Sequence, residues 1–372
     1  MSLESMVNCT NTFIDLENCY KGKRVLVTGH TGFKGSWLIS ILHGFGAIIK
    51  GYALAPENEV NLFSEISGNN LCESEISDLR NRSSLKRVVT DFQPDFVFHL
   101  AAQPLVRLSY EIPSETFEVN VIGTANLLDS IRLLEKKCIV ILITTDKVYY
   151  NIESAHYYTE NDRLGGYDPY SASKACCELL IDSYKNSFFN FSEYQQHQKS
   201  IAVCRAGNVI GGGDWSRDRL IPDIVKALHS NKNVSIRNPA AIRPWQHVIE
   251  PLFGYLELGL KLTTDPMKYA EAYNFGPNKI DTLSVEEMVI KSISCWKSGT
   301  YTIEINNNNL HEAGLLMLDI SKAKDELNWK PILSAEEAIE RTINWYKSYY
   351  KGVSATYLIK ADIEHYNEKR NG

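Results

Sequence analysis

One short stretch limits the possible folds of this chain more than any other. Lys23-Arg24-Val25-Leu26-Val27-Thr28 reads as a buried strand and runs directly into Gly29-His30-Thr31-Gly32-Phe33-Lys34-Gly35. A helical pattern follows from Ser36 to Phe45. Strand, glycine turn and helix in that order form the context in which a glycine motif signals dinucleotide binding. The glycines permit a tight turn and let the backbone approach a pyrophosphate closely. The helix N-terminus then offers N–H donors and positive potential.

The segments that follow repeat the alternation. A strand is expected over 47–54, a helix over 83–92 and a strand over 96–100 ending in Ala101-Ala102. A long helix over 114–134 and a strand over 138–144 come next. A polar connector at 187–199 leads to a strand at 200–205. Strands alternating with helices point to an α/β fold with a doubly wound parallel sheet of the Rossmann type. After residue 205 the regularity ends. Helices are expected near 218–230, 249–262, 284–294 and 334–350, with a polar loop at Asn306–Asn309. The reading is a polar extension at 1–20, a dinucleotide-binding domain at 21–205 to which later segments return, a mainly substrate-binding lobe at 206–350, and a charged tail at 351–372.

The chemistry concentrates in Asp168-Pro169-Tyr170-Ser171-Ala172-Ser173-Lys174. Pro169 suits a first helical position, and Asp168 before it can cap the free N–H groups. Residues four apart share a helical face, so the Tyr170 phenol and the Lys174 ammonium can meet. An ammonium beside a phenol favours the phenolate, which makes Tyr170 a candidate general base on a substrate hydroxyl. The strand at 138–144 ends in Thr145-Asp146-Lys147, polar residues where an open sheet places its ligand.

Composition narrows the partners. A net charge of −6 and a sequence pI near 5.9 give no electrostatic footprint for nucleic acid or an anionic membrane. The eight cysteines form no CxxC pair and several lie in apolar runs, as expected of free thiols in a reducing cytoplasm. The nine histidines show no ligand spacing, so no metal is expected. The N-terminus has no basic stretch followed by an apolar one, and the apolar runs are short for a bilayer. The second strand ends in Ala53-Leu54-Ala55, without the acid that selects the adenosine ribose of NAD and without an arginine for NADP. The residues by themselves leave that choice open.

Together, the glycine turn, Thr145-Asp146-Lys147 and Tyr170-xxx-Lys174 resemble the extended short-chain dehydrogenase/reductases that act on nucleotide sugars. Longer runs are similar to the 4,6-dehydratase branch of that family. They include Gly29 to Leu38, Ala101 to Arg107, Gly165 to Ser171, Arg205 to Trp215 and Arg243 to Val248. The resemblance spans roughly residues 21–350. It implies tightly held NAD, CDP-glucose as substrate and a homodimer or homotetramer. Tyr170 would take the proton of the sugar 4-hydroxyl, with Lys174 on the cofactor ribose and Thr145 on the 4-oxygen. Asp146 would protonate the departing 6-hydroxyl, and Lys147 stands where dTDP-glucose relatives carry a glutamate base. Gly29, Thr31, Gly32, Phe33, Lys34, Gly35, Asp78, Leu79, Leu100, Ala101 and Ala102 join Tyr170 and Lys174 as candidate cofactor contacts. Gln103, Asn208, Arg219, Arg237, Arg243 and His247 are the candidate substrate contacts.

The chain departs from the family pattern at two places. Relatives carry two tryptophans and a glycine between the Asp-Lys pair and the tyrosine helix, where this chain reads Ser154-Ala155-His156-Tyr157-Tyr158. Val148 replaces a usual cysteine. The loop keeps its length, which favours retained chemistry. Its changed composition keeps an epimerase or reductase on the same fold in view. A dinucleotide-binding module without catalysis predicts damage to Tyr170, Lys174 or the glycine turn, and these are intact.

Overall fold

The computed structural model describes residues 12–304 and 315–371. Its centre is a seven-stranded sheet: β1 (Arg24–Thr28), β2 (Ile48–Ala53), β3 (Glu73–Ile76), β4 (Phe96–His99), β5 (Cys138–Ile143), β6 (Lys199–Ala206) and β7 (Ala272–Phe275). All pairings are parallel, in the order β3-β2-β1-β4-β5-β6-β7. The chain winds outward from β1 to β3, then crosses back to place β4 on the other side of β1. That reversal opens a crevice at the carboxyl ends of β1 and β4, where open α/β sheets bind ligands.

Ten principal helices cover and extend the sheet: α1 (Phe13–Tyr20), α2 (Phe33–Gly44), α3 (Arg82–Phe92), α4 (Gly123–Ile131), α5 (Pro169–Phe188), α6 (Leu220–His229), α7 (Ile249–Thr264), α8 (Val285–Trp296), α9 (Ala335–Tyr349) and α10 (Ala355–Asn371). The period-two alternation of the strands sorts the core into two layers. Leu26, Val97, Val140 and Leu142 face one way and pack with Leu85, Val88, Leu127 and Ile131. Val25, Val27, Phe98 and Ile141 face the other way, with Trp37, Leu38, Leu252 and Leu256. Each such side chain contributes about 1.5–3 kcal/mol on burial. Both faces of the sheet are therefore apolar, which is why its strands read as continuous hydrophobic runs.

The structure revises several expectations. The polar extension is helical from Phe13, with a capping box between Thr12 and Asp15. Leu16 and Tyr20 are fully buried, and the Tyr20 hydroxyl donates to the Leu256 carbonyl at 2.8 Å. The charged tail is α10, whose Ile359, Asp362 and Tyr366 are buried. The expected helix at 114–134 is divided by a wider turn at Glu118–Ile122 between Pro113–Phe117 and α4. The connector at 187–199 contains two short helical turns, and β3 and β7 are further strands of the sheet. The loop at Asn306–Asn309 lies outside the described residues. No helix among the described residues is long and apolar enough to cross a membrane.

Candidate active site

The glycine turn forms one wall of the crevice. Gly29 has φ +76°, and a Cβ there would stand 2.7 Å from the Ala101 nitrogen. A Cβ at Gly35 would lie 2.0 Å from the Gly29 carbonyl oxygen. Side chains are thus excluded where the turn passes β4 and where α2 packs on it. Gly32 is the N-cap of α2 and brings no side chain to the cap. The first-turn N–H groups of Phe33, Lys34 and Gly35 have no carbonyl within the helix to bond, as at any helix start, and offer a cradle that fits the pyrophosphate of a dinucleotide. The Thr31 hydroxyl donates to the Leu54 carbonyl at 2.8 Å, tying the turn to the end of β2. Behind it, the Thr28 hydroxyl and the His99 ring are 2.7 Å apart, and burial pushes His99 down to about 3, so that ring is neutral.

Farther out, the Asp78 carboxylate is gripped by Arg80 at 2.7 Å, which lowers its pKa. Leu79 is buried against Gly123, with its carbonyl accepting from Asn126 at 3.1 Å. Leu100, Ala101 and Ala102 are half-buried at the head of β4, where small side chains keep the crevice open to the backbone.

The opposite wall is built by α5 and the head of β5. Asp168 caps α5 as expected, accepting from the Ser171 N–H at 2.9 Å and the Ser171 hydroxyl at 2.6 Å. Tyr170 follows Pro169 in the first turn, its phenol hydrogen-bonded to Thr145. Burial pushes this phenol up to about 12, opposed by the Thr145 bond and the Arg219 charge and reinforced by Asp146 and Asp168. The expected pairing of phenol with Lys174 takes a different form. The Lys174 ammonium donates to the Ile143 carbonyl at 3.0 Å, and burial lowers its pKa.

Thr145, Asp146 and Lys147 form a tight turn at the end of β5. The Thr145 hydroxyl donates to Asp146 Oδ1 at 3.0 Å, and Lys147 Nζ reaches the same oxygen at 3.3 Å. Lys147 Nζ also donates to Asn208 Oδ1 at 3.3 Å. Asp146 is buried, with Oδ2 against Gly207, where a Cβ would come within 3.2 Å. The pair is no solvated surface bridge. Lys34 looks into the same space from the glycine turn. Burial and the charges of Arg219, Lys174 and Lys147 bring its ammonium down to about 8, with Asp146 acting the other way. Arg219 is itself held by Asp214 at 3.2 Å.

Lys34, Thr145, Asp146, Lys147, Tyr170, Lys174, Asn208 and Arg219 thus converge at the head of the sheet. Three candidates do not join them. Gln103 is turned inward: its side-chain nitrogen donates to Thr116 at 3.0 Å and its oxygen accepts from the Leu105 N–H at 2.6 Å. His247 is buried edge-on to Trp37 and 3.9 Å from Asp362, and burial with the Arg341 charge pushes it down to about 3. Arg237 is exposed beyond α6. Arg243 is 8% exposed and donates to the Ile242 carbonyl at 3.1 Å. Sequence reading overlooked Glu178 and Arg205. The signals were a glutamate one turn beyond Lys174 on the same face, and a lone arginine inside an apolar strand.

The convergence supplies a phenol, a carboxyl group and amines around one space. That is enough to move protons on and off neighbouring carbon and oxygen atoms. Residues 26–342 match the sequence profile described as GDP-mannose 4,6 dehydratase. The CDP-glucose 4,6-dehydratase of Salmonella typhimurium is 47% identical over 350 residues, covering 94% of this chain and 98% of that protein. The CDP-paratose 2-epimerase of Salmonella typhi is 25% identical, covering 87% of this chain and 99% of that protein. Among solved structures, the dTDP-glucose 4,6-dehydratase of Bacillus anthracis in complex with NAD superposes with a TM-score of 0.71 at 22% identity. It covers 90% of this chain and 100% of that one.

Proposed function

The chain belongs to the GDP-mannose 4,6 dehydratase family, and from that premise we propose that it dehydrates CDP-glucose to CDP-4-keto-6-deoxyglucose. Bound NAD would supply the hydride acceptor for oxidation at sugar C4 and the hydride donor for reduction at C6. The glycine turn would hold NAD, the N–H groups of Phe33, Lys34 and Gly35 and the Lys34 ammonium serving its pyrophosphate and Lys174 a ribose hydroxyl.

The protein's own groups handle the protons. Tyr170 accepts the proton of the 4-hydroxyl as C4 is oxidised. Its phenol is pushed up to about 12 in the protein alone, so charge brought by the bound cofactor and the Thr145 bond must favour the phenolate. Thr145 holds the 4-oxygen. The 4-ketone acidifies the C5 proton, which Lys147 removes. Asp146 passes a proton to the 6-hydroxyl, which leaves as water. A proton delivered to C5 by Lys147 as C6 is reduced would complete the cycle with no net change in NAD.

One observation carries this reading: the buried Asp146–Lys147 pair beside the Thr145–Tyr170 contact. Hydride transfer and its reversal at C4 would leave that pair without work. Arg219 and Arg243 serve the substrate diphosphate, as planar guanidinium groups suit phosphate oxygens, and Asn208, which accepts from Lys147 Nζ at 3.3 Å, steadies that lysine beside the sugar. Apolar residues exposed near the helical faces, Ile122, Leu133, Leu179 and Phe188, support a homodimer or homotetramer. Free thiols and a nucleotide-sugar substrate fit a cytoplasmic enzyme.

The test is incubation with CDP-glucose in deuterated water. A product lighter by one water, with solvent deuterium at C5 and no accumulated reduced nicotinamide, supports the reading. An unchanged mass with an inverted sugar carbon identifies an epimerase instead.

A further inference from the structure

Glu178 extends the Tyr170–Lys174 stripe by one further turn of α5. Its side chain is 4% exposed and that of its partner Arg205 is 5% exposed. The carboxylate accepts the Thr144 hydroxyl at 2.6 Å and Arg205 Nε at 2.9 Å, with a further bond from Arg205 Nη2. Thr144 is the residue immediately before Thr145. Arg205 Nη1 donates to the Tyr149 hydroxyl at 2.8 Å and the Glu160 carbonyl at 3.0 Å. The Tyr149 hydroxyl donates onward to Asn274 Oδ1 at 2.7 Å. The Tyr149 ring stacks on Tyr158 at 5.0 Å, and the Tyr158 hydroxyl accepts the Ile152 N–H at 2.9 Å.

This chain of contacts runs from the helix bearing Tyr170, through the head of β5, to both ends of the loop at 150–158. A buried ion pair gains little over apolar residues of the same size, so stability alone is a weak reason for one here. A pair that accepts from Thr144 and donates to Tyr149 and the Glu160 carbonyl fixes the relative geometry of those segments.

We propose that Glu178 and Arg205 are positioning residues, which hold the Thr145–Lys147 turn and the 150–158 loop in register with Tyr170. This rests on the function proposed above. The loop's altered composition is then read by the active site through Tyr149, and Thr144 sets where the Thr145 hydroxyl meets the phenol.

Thr144→Val and Tyr149→Phe cut the two arms while leaving the ion pair in place. The NAD-loaded protein is assayed with CDP-glucose, and its backbone hydrogen exchange is followed at 144–148 and 150–158. Thr144→Val should lower kcat by about tenfold to a hundredfold with KM little changed, and speed exchange at 144–148. Thr144→Ser, which keeps the hydroxyl, should restore both. Tyr149→Phe should speed exchange at 150–158 and raise KM. Wild-type kcat and exchange in Thr144→Val, or equal losses in Thr144→Val and Thr144→Ser, overturn the proposal. Should the wild type yield no dehydrated product, the functional reading fails, and the exchange measurements alone decide the positioning role.

Discussion

Glu250 offers a sharp test of how α10 is held. Its carboxylate is fully buried on α7, accepting the Ile332 and Leu333 N–H groups at 2.8 and 2.6 Å and the Tyr366 hydroxyl of α10 at 2.8 Å. Burial pushes its pKa from 4.5 up to about 7, against the lowering effect of these bonds and of Arg370. The folded value lies above the unfolded one. The neutral carboxyl is therefore the form the fold prefers, and its stability contribution is complete below pH 4.5 and lost as pH rises through about 7. A shift of this size corresponds to about 3 kcal/mol in all, of which about 2 kcal/mol falls between pH 5 and pH 8. Glu250→Gln keeps the shape and is neutral throughout. Denaturant unfolding of both proteins across that range should show the wild type losing about 2 kcal/mol relative to the variant as pH rises. Glu257 and Asp362, raised to about 7 and about 6 by burial, leave a residual slope of the same sign in the variant. A stability difference that stays flat with pH, or a wild type that gains on the variant, refutes the reasoning.

Three further outcomes follow from the site. Tyr170→Phe removes the proton acceptor but keeps the ring, so kcat should fall by about a hundredfold to ten-thousandfold with an unchanged far-ultraviolet spectrum. With Lys34 at about 8, wild-type affinity for NAD should weaken by about tenfold between pH 7 and pH 9 as the ammonium is lost. Lys34→Met should bind more weakly and show no such pH dependence, as read by calorimetric titration. Gly35→Ala sets a methyl against the Gly29 carbonyl, a backbone atom that cannot move without undoing the turn. It should cost about 1–3 kcal/mol of stability and abolish NAD binding, checked by thermal unfolding with and without NAD.

Much of the sheet was legible because its information is local. Strand, glycine turn and helix at 23–45 declare themselves by composition, and Asp168-Pro169 marks the start of α5 by capping chemistry alone. What escaped depends on partners far away in the chain. Gln103 reads as a polar residue at a strand head, yet its amide is consumed by Leu105 and Thr116. His247 reads as a ligand contact, yet Trp37 and Asp362 enclose it. The tail reads as charged, although Ile359, Asp362, Tyr366 and Arg370 recur at helical spacing. That stripe is apolar only in part, and its acid, phenol and arginine are matched by Arg341, Glu250 and Glu257 on other helices. The Tyr170–Lys174 spacing put both side chains on one helical face. It could not show that Thr145, Asp146 and Arg219 act on the phenol while Lys174 turns to the Ile143 carbonyl.

The central claim is that hydride leaves C4 of the sugar and returns at C6. CDP-glucose carrying deuterium at C4 tests it directly, with the position of the label in the product read by NMR. The account predicts deuterium in the C6 methyl group of a 4-keto-6-deoxy product. Deuterium still at C4 of a sugar with unchanged mass would contradict it, leaving the Asp146–Lys147 pair without the role assigned to it.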